Sequence, residues 1–326
     1  MKIDLLSKLE AKLGPARILP NEILANHCTW RIGGPAKYYF EAKTLAEFVN
    51  AVTLSKKLNL PFLILGGGTN TLFPDRGFAG LVIKNGTTKI NILAVSGKIK
   101  SGKSSQSVYV EAETGVTFNR LVRFTLDEGL SGFESFLGQP GTVGGAMFIN
   151  AHFPQAKKFV GDFVVSAKVL ELNGKTKEVG VDYFRFGYDE SIIQHTREIV
   201  LSVVFKLNRS TKEKVWEEGN KTTVYRQLTQ PQGYPTAGCT FRNITYAEAL
   251  LLPTPNHTQS AGFLIDQCGL KGHTVGGAQI SEKHANFILN KGSARAQDVI
   301  DLINLCKEKV KSKFGVELKE EVIIVR

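Results

Sequence analysis

Four cysteines in 326 residues, Cys28, Cys239, Cys268 and Cys306, are too scattered for a disulfide framework, and none forms the C-x-x-C pair of a structural zinc site. The six histidines include no pair four residues apart, so no metal site is expected. No apolar run approaches the ~20 residues of a membrane helix. The segment Met1-Lys2-Ile3-Asp4-Leu5-Leu6-Ser7-Lys8 lacks the apolar core of a signal peptide. These absences lead to the expectation of a reduced, cytoplasmic protein with no membrane partner. Internal repeats and low-complexity tracts are also missing. No G-x-x-x-x-G-K-[ST] string occurs, which excludes a P-loop, and neither glycine cluster of the chain reads as a G-x-G-x-x-G dinucleotide fingerprint.

The chain is 42% hydrophobic and 22% charged, the balance of an ordinary globular protein long enough for two or three domains. Its formal charge of +11, from 41 basic and 30 acidic residues, calls for anionic partners. The basic residues are dispersed, and the run Lys307, Lys309, Lys311 and Lys313 fills the polar face of a helix. Phosphate-rich small molecules explain the surplus as well as nucleic acid or solubility would, and no nucleic-acid partner is expected.

Glycine carries the strongest local signal. Gly138-Gln139-Pro140-Gly141-Thr142-Val143-Gly144-Gly145-Ala146 stands where a strand would otherwise be read. Leu65-Gly66-Gly67-Gly68-Thr69-Asn70 follows the apolar run Phe62-Leu63-Ile64, and Pro74, Asp75 and Gly77 behind it read as further turns. Glycine lets backbone amides approach an anion with no Cβ between them. Two such clusters suggest one large pyrophosphate-bearing cofactor held from two sides. Periodicity predicts helices over 44–58, 117–129 and 296–314 and strands over 62–65, 80–84, 108–112, 162–172, 198–207 and 322–325. The polar stretch 208–222 reads as a domain boundary. The expected fold is α+β with mixed sheets.

Six strings then line up in one order: Thr29-Trp30-Arg31-Ile32-Gly33-Gly34-Pro35-Ala36; the two glycine clusters; Arg226-Gln227-Leu228-Thr229-Gln230-Pro231; Pro235-Thr236-Ala237-Gly238-Cys239-Thr240-Phe241-Arg242-Asn243; and Ser281-Glu282-Lys283-His284-Ala285-Asn286-Phe287-Ile288. Together they resemble the UDP-N-acetylenolpyruvoylglucosamine reductases, the MurB flavoenzymes of peptidoglycan precursor synthesis, and the last string is similar to the shorter, type II subgroup. The resemblance runs from about residue 20 to the end. It implies a two-part FAD-binding module of the vanillyl-alcohol-oxidase (PCMH) type over 1–210, joined by the last strand at 316–326, and a smaller substrate-binding domain over 211–315. It implies noncovalent FAD held by Arg31, Gly66, Gly67, Gly68, Thr69, Asn70, Gly138, Pro140, Gly141, Thr142, Gly144 and Gly145. NADPH would be the hydride donor and UDP-N-acetylglucosamine enolpyruvate the acceptor.

Hydride addition to an enolpyruvyl ether leaves negative charge on C2 and its carboxylate, so the reaction needs donors facing an enolate and an acid aimed at C2. By resemblance the acid is Cys239, where the family more often has serine. A thiol, with an ordinary pKa of about 8.5, is a stronger acid than an alcohol. Glu321 matches the family's catalytic glutamate, with Glu320 the neighbouring alternative on the opposite face of a strand. Arg226 and Arg242 are implied for the uridine diphosphate, Asn243 as a substrate contact, and Glu282, His284 and Asn286 as substrate or flavin contacts. Read without the resemblance, Cys239 and His284 are core side chains and the carboxylates and arginines are surface ones.

Three segments depart from the family pattern. Gly-Tyr-Arg-x-Ser is here Gly187-Tyr188-Asp189-Glu190-Ser191, with an acid in the place of the catalytic arginine. The segment Ala151-His152-Phe153-Pro154 lacks the usual Ala-Gly-Ala-Tyr-Gly run, and 244–259 is long. The expected substitute cation is Arg185, which shares a face with Asp189 if both lie on one strand. The departures leave two rival readings: a diverged flavoprotein with another substrate, and a nucleotide-sugar-binding homologue impaired in turnover.

Overall fold

The computed structural model describes residues 5–100 and 103–326. The chain forms two compact units, one of Met1–Pro20, Tyr38–Gly67 and Gly80–Tyr225, the other of Asn21–Lys37, Gly68–Ala79 and Arg226–Arg326. This division differs from the expected one at both ends. The polar stretch read as a boundary is a helix, Lys212–Thr229, buried only at Val215, Gly219 and Thr222, a stripe too narrow and too polar to show helical periodicity. The last strand does not join the first unit's sheet. Ile323–Ile324 pairs in parallel with Thr71–Leu72, inside the second unit.

A four-stranded sheet runs in the order Leu19–Ile23, Pro35–Ala42, Phe78–Asn85, Phe62–Leu65, the last pair parallel. The helix Leu45–Lys57 follows the expected 44–58 and buries Phe48, Ala51 and Val52 in one cluster with Phe40, Leu81 and Ile83. Thr44 caps it by accepting from the Glu47 N–H at 3.2 Å. The reciprocal bond of a capping box is absent, since the Glu47 carboxylate takes the Lys43 N–H (2.8 Å) and Arg17 instead.

The larger sheet of the first unit is antiparallel, in the order Thr176–Gly180, Val164–Leu170, Ile199–Arg209, Lys103–Glu113, Ile90–Lys100. The expected strand 162–172 begins later, because Val160–Phe163 forms a 3₁₀ turn. The helix Phe118–Asp127 buries Phe118, Leu121, Val122, Thr125 and Leu126, and Gly129 follows it at φ +64°. Phe118, Phe133 and Phe136 pack edge-on or tilted, with centroids 5.5–5.9 Å apart. Such pairs prefer these geometries to a face-to-face stack.

In the second unit the helix Ala296–Phe314 matches the predicted 296–314. It buries Val299, Leu302, Ile303, Cys306 and Val310 and stops at Gly315, φ +71°, where a side chain would be strained. A three-stranded antiparallel sheet, Thr274–Val275, Ala278–Ile280 and Ile288–Asn290, completes the unit. The long 244–259 segment closes on itself. A capping box at Thr245 and Glu248 starts the helix Tyr246–Leu250, and the Ile244 N–H donates to the Gln259 carbonyl at 3.0 Å.

Candidate active site

In the first unit the two glycine clusters meet. A Cβ on Gly66 would stand 2.6 Å from Thr142 Oγ1, so only glycine allows this approach. Thr142 accepts from the Gly145 N–H at 3.2 Å and opens a short helix, Val143–Ile149, where the sequence suggested interrupted strand. The Val143 and Gly144 N–H groups donate to the Val116 and Thr114 carbonyls, both at 2.9 Å, and Gly138 and Gly141, at φ +81° and +105°, turn the chain into the helix. The Gly138 N–H is anchored by Asn119 Oδ1 at 2.8 Å, and Pro140 is exposed.

Behind these clusters lies a polar layer that sequence reasoning missed. A Cβ on Gly144 would lie 3.1 Å from Thr114 Cβ, and one on Gly115 would lie 2.5 Å from Asn85 Oδ1 and the Thr87 nitrogen. Asn85 Nδ2 donates to Thr114 Oγ1 at 3.0 Å. The Lys84 ammonium donates to the Gly66 carbonyl; burial pushes it below its ordinary value, with Glu41 opposing. The available signal was Lys84-Asn85-Gly86, a lysine and a glycine closing a strand. A glycine surface without Cβ atoms, with the half-buried Lys84 bound to the Gly66 carbonyl, fits the pyrophosphate of FAD.

The chain passes into the second unit between Gly67 and Gly68. A Cβ on Gly68 would stand 2.2 Å from the His27 carbonyl. Thr69 is half-buried, and Arg31 is exposed at φ +54°. Asn70 Nδ2 donates to the Glu321 carbonyl at 3.0 Å, and its own carbonyl accepts from the Ile323 N–H at 2.9 Å.

Cys239, Asn286 and Glu321, far apart in sequence, are brought together by one clasp. The Thr240 N–H donates to the Asn286 carbonyl (2.7 Å), and the Thr240 carbonyl accepts from the Glu321 N–H (2.9 Å). Asn286 closes it from the side chain, with Oδ1 accepting from the Phe241 N–H (2.9 Å) and Nδ2 donating to the Phe241 carbonyl (2.8 Å). Cys239 is half-buried behind Gly238, which holds φ +83°. Glu320 is spoken for: burial pushes its carboxyl up, but the Lys307 ammonium at 2.5 Å and its other partners hold it below the usual carboxylate range. Thr240 Oγ1 and Arg242 Nε are buried with no hydrogen-bond partner, a costly state that a polar ligand would relieve.

Of the other residues expected at the substrate, Asn243 Oδ1 accepts from the Ala261 N–H at 3.1 Å, at the start of the helix Ala261–Gln267. The His284 ring packs edge-on to Phe287 with centroids 4.9 Å apart, and burial lowers its pKa. Asn286 ties the clasp, Arg226 is half-buried in the last turn of the helix Lys212–Thr229, and Glu282 is exposed.

Arg185 and Asp189 do not lie on one strand, which corrects the expected exchange between them. Arg185 ends a 3₁₀ turn at φ +45° and is exposed. Asp189 sits at φ +53° in a turn closed by the Gly187–Glu190 bridge. The Asp189 side chain is 1% exposed, and His152 Nδ1 lies 3.3 Å from its Oδ1.

A family model for the C-terminal domain of UDP-N-acetylenolpyruvoylglucosamine reductase matches residues 230–325, and one for an FAD binding domain matches 36–180. The UDP-N-acetylenolpyruvoylglucosamine reductase of Chlamydia abortus is 38% identical over 303 residues, covering 93% of this chain and 92% of that protein. Its counterpart in Bacillus subtilis is 34% identical, covering 95% and 94%. The crystal structure of the reductase from Thermus caldophilus is similar at TM-score 0.73 and 29% identity, covering 95% of this chain and 98% of that one. A VAO-type flavoprotein of Myceliophthora thermophila shares the fold at TM-score 0.50 and 10% identity.

Proposed function

Because the chain belongs to the UDP-N-acetylenolpyruvoylglucosamine reductase family, we propose that it reduces the enolpyruvyl ether of UDP-N-acetylglucosamine, with NADPH as donor and FAD as cofactor. The product, UDP-N-acetylmuramate, is a peptidoglycan precursor. The observation that carries this reading is the clasp that sets Cys239, Asn286 and Glu321 side by side. FAD held noncovalently at Gly66, Gly67, Thr142, Gly144 and Gly145 would supply hydride chemistry.

The chain's own residues do the rest. The Cys239 thiol holds the proton that C2 of the substrate must receive, at a position fixed by the Thr240 backbone. Glu321 orients the substrate's reacting end, and Asn286 keeps both segments in register. The unsatisfied Arg242 Nε fits a diphosphate oxygen, which guanidinium binds well. Arg226 is assigned to the same group.

The test is to supply the purified protein with FAD, NADPH and UDP-N-acetylglucosamine enolpyruvate and to identify the product by mass. The expected product has gained two hydrogens. NADPH oxidation without that product supports the diverged-flavoprotein reading, and binding without oxidation supports the impaired homologue. Acid precipitation should leave the pellet colourless, and yellow protein in the pellet would show covalent flavin.

A further inference from the structure

One lysine of the first unit is drawn in from solvent without a carboxylate to meet it. Strand alternation puts it there. Leu81 and Ile83 pack with Phe40 and Phe48 in one cluster, so Lys84, the next residue of the strand Phe78–Asn85, leaves by the opposite face. The parallel register sets Lys84 beside Leu65, and its Nζ donates to the carbonyl of the residue that follows, Gly66.

Lys84 is half-buried and forms no ion pair among the described residues. Glu41 favours its charge, but burial outweighs that pull and lowers the pKa of the ammonium. Lysines are seldom drawn in from water unless an opposite charge stands against them. Lys177, Lys221 and Lys307 show the usual arrangement, each with a glutamate at 2.5–2.7 Å.

The Gly66 carbonyl takes one of the three N–H groups of the ammonium. Gly66 itself lies against Thr142, so closely that a Cβ would stand 2.6 Å from Thr142 Oγ1. The Val143 and Gly144 N–H groups are already bonded to carbonyls, whereas those of Gly141 and Thr142 have no hydrogen-bond partner among the described residues. A cation without a counter-ion and backbone donors without acceptors, beside a surface free of Cβ atoms, suit an oxyanion with several charges. We propose that the Lys84 ammonium is a counter-ion of the FAD diphosphate, steadied by the Gly66 carbonyl and donating to a phosphate oxygen through an N–H that the carbonyl leaves over. This rests on the match to an FAD binding domain. A cation partly removed from water attracts such a group more strongly than an exposed one.

Flavin binding by the full chain, read from flavin fluorescence after its own flavin has been dialysed away, tests this without turnover. FAD carries the diphosphate, and riboflavin has no phosphate. Lys84→Met should weaken FAD by about 10–100-fold, the range of a charged hydrogen bond, and leave riboflavin unchanged. Lys84→Gln keeps a neutral donor for the Gly66 carbonyl and should lose nearly as much. Lys84→Arg keeps the charge and should recover most of the affinity. Equal losses for both flavins or no loss would overturn the proposal. So would wild-type FAD affinity in Lys84→Gln, because only the tether to Gly66 would then matter. Should Lys84→Met fail to fold, the comparison of Gln with Arg decides. If the wild-type chain carries no flavin and binds neither, the FAD reading fails and takes this assignment with it. If it prefers FAD and Lys84→Met keeps that preference, only this assignment falls.

Discussion

In the proposed reaction Cys239 is the general acid, and its thiol donates once charge appears on C2. Cys239→Ala should leave reduction of the holoenzyme by NADPH close to wild type and slow its reoxidation by substrate by ~10²–10⁴, the usual loss for a general acid. Cys239→Ser keeps a donor and should recover part of that rate. Stopped-flow measurement of the two half-reactions checks both variants. The remaining cysteines give a control. Burial, with Cys268 adding to it, pushes the Cys306 thiol up to about 12, and burial also raises Cys28. Iodoacetamide near neutral pH should therefore spare Cys306 and Cys28 in the folded protein. Mapping by mass spectrometry checks this: labelling of Cys306 would contradict the buried stripe of the helix Ala296–Phe314, and labelling of Cys28 would contradict its burial.

Elements with one apolar face were readable from the sequence; those held by polar contacts were not. The helices Leu45–Lys57 and Ala296–Phe314 bury their stripes where periodicity put them. The helix Lys212–Thr229 carried no stripe to read. The clasp of Thr240 between Asn286 and Glu321 is backbone pairing between distant segments, which no local pattern encodes, and those residues came only from the resemblance. The pairing of His152 with Asp189 was likewise invisible, because each alone looked like a mere departure. At Gly66 the contact with Thr142 gives a direct test. Gly66→Ala should lower the flavin content of the purified protein and the thermal shift on adding FAD, whereas retention of both would remove Gly66 from the cradle. On the helix Leu45–Lys57, hydrogen bonds from Arg17 lead the causes that hold Glu47 from 4.5 down to about 2. A carboxyl with a depressed folded-state pKa contributes stability above its unfolded value and loses it as pH falls through the folded one. The stability gap between wild type and Glu47→Gln should thus be full above pH 4.5 and close toward about pH 2. Urea titrations across that window would show it.

For the whole chain, a charge of +11 meets a cofactor, a donor and a substrate that all carry phosphate. Attraction of this kind is screened by salt, so kcat/KM for NADPH and for the substrate should fall as ionic strength rises. The architecture expected from the sequence, an FAD-binding module with a smaller domain, is the one its relatives share. The boundaries were not legible. The segments Asn21–Lys37 and Gly68–Ala79 belong to the compact unit formed by the C-terminal part of the chain, an exchange that composition does not mark. The terminal strand goes with them through its parallel pairing to Thr71–Leu72.

The central claim is that this chain passes reducing equivalents from NADPH to an enolpyruvyl ether. Anaerobic absorbance of the holoenzyme tests it most directly. NADPH should bleach the flavin, and UDP-N-acetylglucosamine enolpyruvate, but not UDP-N-acetylglucosamine, should restore the colour as UDP-N-acetylmuramate forms. A flavin that NADPH bleaches and the enolpyruvyl substrate leaves bleached would contradict the account.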